Sequence, residues 1–299
     1  MYKVIFTLIF ILVGHLELRA QEFQGMAVYE SKTSTADFKS RFEGNKNFTP
    51  EMQKNMEERM IKMFEKTFIL NFDKSTSIYR EEEKLDAPGK NGGGMRTMSS
   101  MMGGGGTYYK NVKYKTYTVD KEFMGKEFLI KDSLPNLKWK MEGETRVIGG
   151  YNCFKATAIL PASKTDFRNF SPKKEEAKKA NDSLNNSKEK KTNFMDEIEM
   201  PKDISVTAWY TPEIPVNQGP EGYWGLPGLI LEVNDGKTII LCSKIILNPK
   251  DKVNIKESSN GKVISQKEYD ETIVKKMEEF RQMNQGRGGN GGMQIRMGH

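Results

Sequence analysis

The sequence predicts a mainly β fold of the α+β kind. It is a curved antiparallel sheet with a helix in the N-terminal half, a charged helical insertion and a C-terminal helix. Three observations predict it. Short runs rich in Val, Ile, Tyr and Phe alternate apolar with polar, and Gly, Asp and Pro separate them at close intervals. Two longer runs carry apolar residues at helical spacing behind capping residues. The remaining long stretches are charged or Gly-rich and have no apolar pattern from which to build a core. With 299 residues and 36% hydrophobic content, the chain is long enough for one good core.

In chain order, residues 1–20 read as a signal peptide. Lys3 supplies the basic start, Val4 to Val13 the apolar run, and Leu18-Arg19-Ala20 the cleavage site before Gln21. An uncleaved N-terminal anchor is the alternative. A single domain over 21–285 follows. Gln24 to Lys32 alternates as a first strand. Thr49 caps a helix with Pro50 at its first position. Met52, Met56, Met60, Met63 and Phe64 then form an apolar helical face rather than a thioether metal stripe. Phe68 to Phe72 and Thr76 to Glu82 make a hairpin across Asp73-Lys74-Ser75. Residues 88–106 form a Gly/Met-rich flexible loop. Tyr108 to Glu122, Glu127 to Lys131, Leu137 to Glu142 and Asn152 to Leu160 continue the sheet. Residues 161–201 interrupt it, with a helix starting at Ser171-Pro172 and charged through Lys173 to Leu184. Ile204 to Tyr210, Leu229 to Val233 and Thr238 to Leu247 resume it, the last two joined at Asp235-Gly236. Ser265 and Glu268 have capping-box spacing, ahead of the apolar face Tyr269, Ile273, Met277 and Phe280. Residues 286–299 are a disordered, basic, Gly-rich tail.

The most informative stretch is Trp224 to Val233. Pro227 and Gly228 suit the second and third positions of a type II turn over Leu226 to Leu229, Gly228 supplying a positive φ. The hexapeptide Gly225 to Ile230 resembles the signature of the GLPGLI family of Bacteroidetes exported proteins. Two further blocks resemble that family in order and spacing: Ile148-Gly149-Gly150-Tyr151-Asn152-Cys153-Phe154-Lys155-Ala156 and Ala208-Trp209-Tyr210-Thr211-Pro212-Glu213-Ile214-Pro215. The likeness covers roughly residues 22 to 283. It implies a secreted, β-rich protein of the cell envelope, periplasmic or associated with the outer membrane, working with a TonB-dependent outer-membrane receptor. It carries no catalytic residues, because the family has none assigned.

Export would bring Cys153 and Cys242, the two cysteines of the chain, into an oxidising compartment, where a disulfide between them is expected. Two buried free thiols are the alternative. The net charge of +7 is modest and the lysines alternate with acids, which describes a solvated surface rather than a nucleic-acid stripe. No apolar run after the signal peptide is long enough to span a membrane.

The available chemistry is narrow. Once residues 1–20 are removed, His299 is the one histidine left, which excludes Ser-His-Asp and Cys-His centres and histidine-based zinc sites. No glycine pattern suited to phosphate opens a helix. A carboxylate hydrolase is the alternative, since a glycosidase needs only two acids: Glu213 and Asp235 bracket the central stretch, with Trp209, Tyr210, Tyr223 and Trp224 as potential sugar platforms. The same four aromatics are the candidate binding residues of a non-enzymatic module, and core packing is the plainer account of them. Met95, Met98, Met101 and Met102 offer soft thioethers that suit Cu(I), with linker composition as the plainer reading. The expectation is therefore a non-enzymatic, cofactor-free envelope binding or accessory protein. By analogy with curved-sheet carriers, it would hold an unidentified small apolar ligand.

Overall fold

The computed structural model describes residues 23–36, 49–82, 106–163, 165–166, 168, 171–172, 198–199 and 201–286. The expected signal peptide, the Gly/Met-rich stretch 88–105, the charged run Lys173 to Leu184 and the tail from 287 lie outside them. The predicted mainly β class is correct.

The chain opens with β1 (Gln24–Thr33), followed by α1 (Pro50–Phe64). Thr49 caps α1 as expected, its hydroxyl accepting from the Met52 amide at 3.2 Å, with Pro50 in the first turn. The apolar face of α1 is buried only in part. Phe64 is enclosed, whereas Met52 and Ile61 are 38% and 42% exposed. The helix meets β1 and β2.

β2 (Glu65–Asp73) and β3 (Thr76–Glu81) form the expected hairpin. Asp73 closes it by accepting from the Ser75 and Thr76 amides at 2.7 and 2.6 Å, which explains why an aspartate begins this turn. The Tyr-rich stretch is two strands rather than one, β4 (Tyr108–Asn111) and β5 (Thr116–Phe123). Asn111 breaks it by accepting from the Tyr114 amide, and Lys115 takes a left-handed φ of 55°. β6 (Lys126–Ser133) pairs with β5 through a two-residue turn at Met124-Gly125.

β7 (Lys140–Ile148) and β8 (Tyr151–Pro161) are joined by Gly149 and Gly150 at φ 58° and 88°. Two positive φ values in a two-residue loop match the twist of the flanking strands, so the Gly-Gly pair in this block is explained by the hairpin. The register of β7 on β8 shifts between Met141 and Thr145. There Glu142 and Glu144 both bend toward Lys155, at 3.5 and 2.8 Å.

Ser171-Pro172 does not start a helix. It is a two-residue strand, β9 (Ser171–Pro172), paired with β10 (Ile198–Glu199). β11 (Asp203–Thr211), β12 (Leu229–Asn234) and β13 (Thr238–Leu247) complete the antiparallel run. Gly236, at φ 90°, is the first central residue of the β12–β13 turn, and Asp235 caps the amides of Lys237 and Thr238. β14 (Lys262–Ile264) adds to β6 as a short parallel strand. α2 (Gln266–Gly286) follows, with the capping box formed as expected: the Glu268 amide donates to Ser265 Oγ and the Ser265 amide to Glu268 Oε2.

The main sheet has 12 strands in the order β14-β6-β5-β4-β3-β2-β1-β13-β12-β11-β8-β7. Its curvature follows from one residue. β3 and β12 stand four strand spacings apart, about 19 Å in a flat sheet. Yet Gln218 accepts from the β12 amide of Ile230 at 3.0 Å through its carbonyl, and from Ser77 Oγ of β3 at 2.8 Å through its side chain. The sheet therefore curls around the segment that carries Gln218. That segment, residues 212–228, connects β11 to β12 and contributes buried Ile214, Val216 and Leu226 to the core. α2 covers the β5–β6 end with Tyr269 and Ile273.

Candidate functional site

The 212–228 connection is the part of the molecule where family-like sequence, buried charge and unusual backbone meet. Part of its backbone is hydrogen-bonded within the segment or to the start of β12. The Val216 amide donates to Ile214 O, Gly225 to Asn217 O, Tyr223 to Pro220 O and Leu229 to Ile214 O, at 2.8 to 3.3 Å.

The expected type II turn at Leu226 to Leu229 is not formed. Gly228 is absent from the positive-φ glycines, and its amide donates to Leu226 O at 2.8 Å, a γ-turn centred on Pro227. Proline still supplies the φ such a turn needs. Gly228 is glycine for a different reason: a Cβ there would lie 2.1 Å from the Thr211 carbonyl oxygen. The left-handed glycine of the block is Gly225, at φ 90°.

Beneath the connection lies Lys110 of β4, fully buried. Its ammonium donates to Gly219 O at 2.5 Å and to Tyr223 O at 3.0 Å. Burial pushes its pKa down to about 7, opposed by the negative charge of Glu221. Glu221 has a left-handed φ of 44°, rare for a residue with a side chain. The Arg168 fork holds its carboxylate at 2.9 and 3.2 Å and grips Asp166 with its other edge. Burial works to raise the pKa of Asp166, but Arg168 holds it below the usual carboxylate range. The Gly219–Tyr223 turn is thus pinned by Lys110 from β4 and by Arg168 from the root of the insertion. Sequence reasoning missed Lys110, Gln218, Arg168 and Glu221. A signal did exist for Lys110, which shares its strand face with Tyr108 in a β-rich run.

The four aromatic candidates do not form one platform. Trp209 is buried, with the Arg146 guanidinium 4.2 Å over its ring and that arginine paired to Glu232. Tyr210 is buried in a different cluster, and its hydroxyl donates to Met141 Sδ at 3.4 Å. Tyr223 flanks that second cluster and lends its carbonyl to Lys110. Trp224 flanks a third and donates through Nε1 to Pro135 O at 2.9 Å. Core packing accounts for them.

Glu213 and Asp235 are not brought together either. Glu213 lies beyond Thr211, which pairs with Leu229, and accepts from the amide of Asn152. Asp235 follows Asn234 at the other end of the same ladder. The two are roughly 20 Å apart by strand rise, whereas a glycosidase pair needs about 5 to 9.5 Å. Met95, Met98, Met101 and Met102 lie outside the described residues.

The expected disulfide is absent. Cys153 and Cys242 are buried free thiols, donating to Tyr151 O and Lys244 O at 3.5 Å. β11 and β12 stand between their strands. Their strands are not neighbours in the sheet, and the two thiols, in the same core cluster, stand unbonded. Burial pushes the two thiols up to about 11 and about 12. Both should resist a thiol reagent at pH 8 in the native protein and react at once in denaturant. Rapid native labelling would contradict this burial.

Residues 139–232 match the model of a protein family described as of unknown function, Porph_ging. It is a Bacteroidetes family. The matched stretch runs from Trp139 through β7, β8, β11 and the whole connection to Glu232. No curated protein matches the chain. Among solved structures, PNGF-II crystallised in space group C2 is 13% identical with a TM-score of 0.44, over 85% of this chain and 33% of that one. PNGF-II in space group P21 is 13% identical with a TM-score of 0.43, over 84% and 33%. The chain spans about a third of the length of those structures. No described helix is long and apolar enough to cross a membrane.

Proposed function

We propose that the protein is an exported, non-enzymatic binding or accessory module of the cell envelope. Its partner in this reading is a TonB-dependent outer-membrane receptor. The signal-type residues 1–20 and the resemblance to GLPGLI proteins support export and the receptor. The match at residues 139–232 supports the Bacteroidetes setting. The charged groups at the connection are engaged in pinning backbone and in pairing with one another.

The observation that carries the binding reading is an apolar patch at the β7 end of the sheet. Phe154 stands opposite Thr145, and Val147 lies two residues along β7 on the same face. The Phe154 ring is 6.1 Å from Tyr210, whose hydroxyl reaches Met141. Met141, Val147 and Phe154 are 51%, 67% and 38% exposed. Neighbouring exposed apolar side chains on one face mark a contact surface more readily than scattered ones.

The test places a photo-crosslinking residue at Val147 in the native host. A control carries it at Val263, exposed on β14 at the opposite edge. Crosslinking from 147 alone, to an outer-membrane receptor identified by mass spectrometry, is the expected result. Mass spectrometry of the same preparation should find Gln21 at the N-terminus. Equal crosslinking from both positions, or an intact Met1, would overturn the reading.

A further inference from the structure

The interior around Gln218 contains more donors than acceptors. Gln218 is fully buried, and its Oε1 accepts from Ser77 Oγ at 2.8 Å. Its Nε2, carrying two N–H groups, has no partner among the described residues. Lys110 lies directly opposite Ser77 in the β3–β4 ladder, so the two side chains share a face. In its ammonium form, below about pH 7, Lys110 has three donors, and the two contacts to Gly219 O and Tyr223 O engage two of them. Gly219 follows Gln218 directly, so these contacts bring the lysine head beside the glutamine. Two residues along β3 on the same face, the hydroxyl of buried Tyr79 also lacks a partner among the described residues.

We infer that a water-sized hydrogen-bond acceptor, either a water molecule or a halide ion, is bound between Gln218 Nε2 and Lys110 Nζ. Burying an amide donor without an acceptor costs about 1 to 3 kcal/mol, which is why such groups in native proteins hold an ordered water or ion. The packing sets the size limit. A Cβ at Gly219 would come within 2.8 Å of the Ile230 side chain and 2.9 Å of Tyr223 O. A Cβ at Gly222 would be 3.2 Å from the Tyr108 hydroxyl. Backbone and side chains this close to the turn argue for an acceptor of one heavy atom rather than a polyatomic ligand.

Crystals of the mature protein grown below pH 7, with bromide in place of chloride, test the site. The expected result is one density peak within hydrogen-bond reach of both nitrogens, the distance being longer for a halide than for a water oxygen. An anomalous bromide signal at that peak assigns a halide, and its absence assigns water. Gln218→Leu should lose the peak. Solution NMR of the wild type with 15N-glutamine supplies a second readout that needs no variant. A bound water gives cross-relaxation from the Gln218 side-chain amide to water. A bound halide instead shifts that amide when bromide replaces chloride. Empty space, or a reversed amide with Nε2 donating to Ser77 and no peak beside it, would overturn the proposal.

Discussion

Alanine at Gly228 should destabilise the protein by about 3 kcal/mol or more, because the added methyl meets backbone rather than a movable side chain. Its Cβ would stand 2.1 Å from Thr211 O and 2.5 Å from Thr211 C. Thr211 ends β11 and pairs with Leu229, so neither partner can retreat without opening the β11–β12 ladder. Gly225→Ala is the informative comparison. That glycine has open space around its Cβ position but a φ of 90°. Its penalty is backbone strain alone, about 1 to 2 kcal/mol. Denaturant melts of the two variants should rank Gly228→Ala well below Gly225→Ala. Equal losses would mean that conformational freedom, not close approach, is what Gly228 provides.

The stability of the protein should rise from pH 7 to pH 9 in a way that disappears in Lys110→Met. Burial lowers the folded pKa of Lys110 from 10.5 to about 7, with Glu221 opposing. Between those values the unfolded chain binds a proton that the native state does not. Stability therefore increases with pH, by up to about 1.4 kcal/mol per unit. Below pH 7 both states carry the proton and the cost of the buried charge is fully present. The methionine variant loses the hydrogen bonds to Gly219 O and Tyr223 O and is less stable at high pH, but it lacks this rise. Urea melts at pH 7, 8 and 9 separate the two curves. Parallel curves would show that the Lys110 ammonium keeps its proton throughout.

Much of the fold could be read from local chemistry. Thr49 with Pro50, Ser265 with Glu268, Asp73 and Asp235-Gly236 each act within a few residues of themselves, and each does what its spacing announced. What failed depended on partners distant in the chain. Whether Gly228 serves φ or close approach is decided by the Thr211 carbonyl, which no local pattern displays. The cysteine pairing was argued from an even count, but strand order decides it, and β11 and β12 intervene. Arg168 and Glu221 are 53 residues apart, and both look like ordinary surface charges in the sequence. The four aromatics were correctly suspected of packing, yet nothing local indicated that they would divide among three clusters.

The register shift in β7 bears on what this molecule avoids. Among the described residues the open sheet of 12 strands has two rims with no further strand, and a long regular rim is a template for fibril growth or for chain-by-chain polymerisation. At one rim the shift between Met141 and Thr145 breaks the row of backbone groups midway, with Glu142 and Glu144 drawn toward Lys155. At the other, β14 has three residues and runs parallel to its neighbour. Neither rim offers an incoming strand more than a few consecutive hydrogen bonds. In the proposed binding reading, a partner at the β7 end would recognise the exposed side chains of Met141, Val147 and Phe154 rather than extend the sheet. The interruption that disfavours strand addition at this rim thus lies beside the apolar side chains the proposed reading uses.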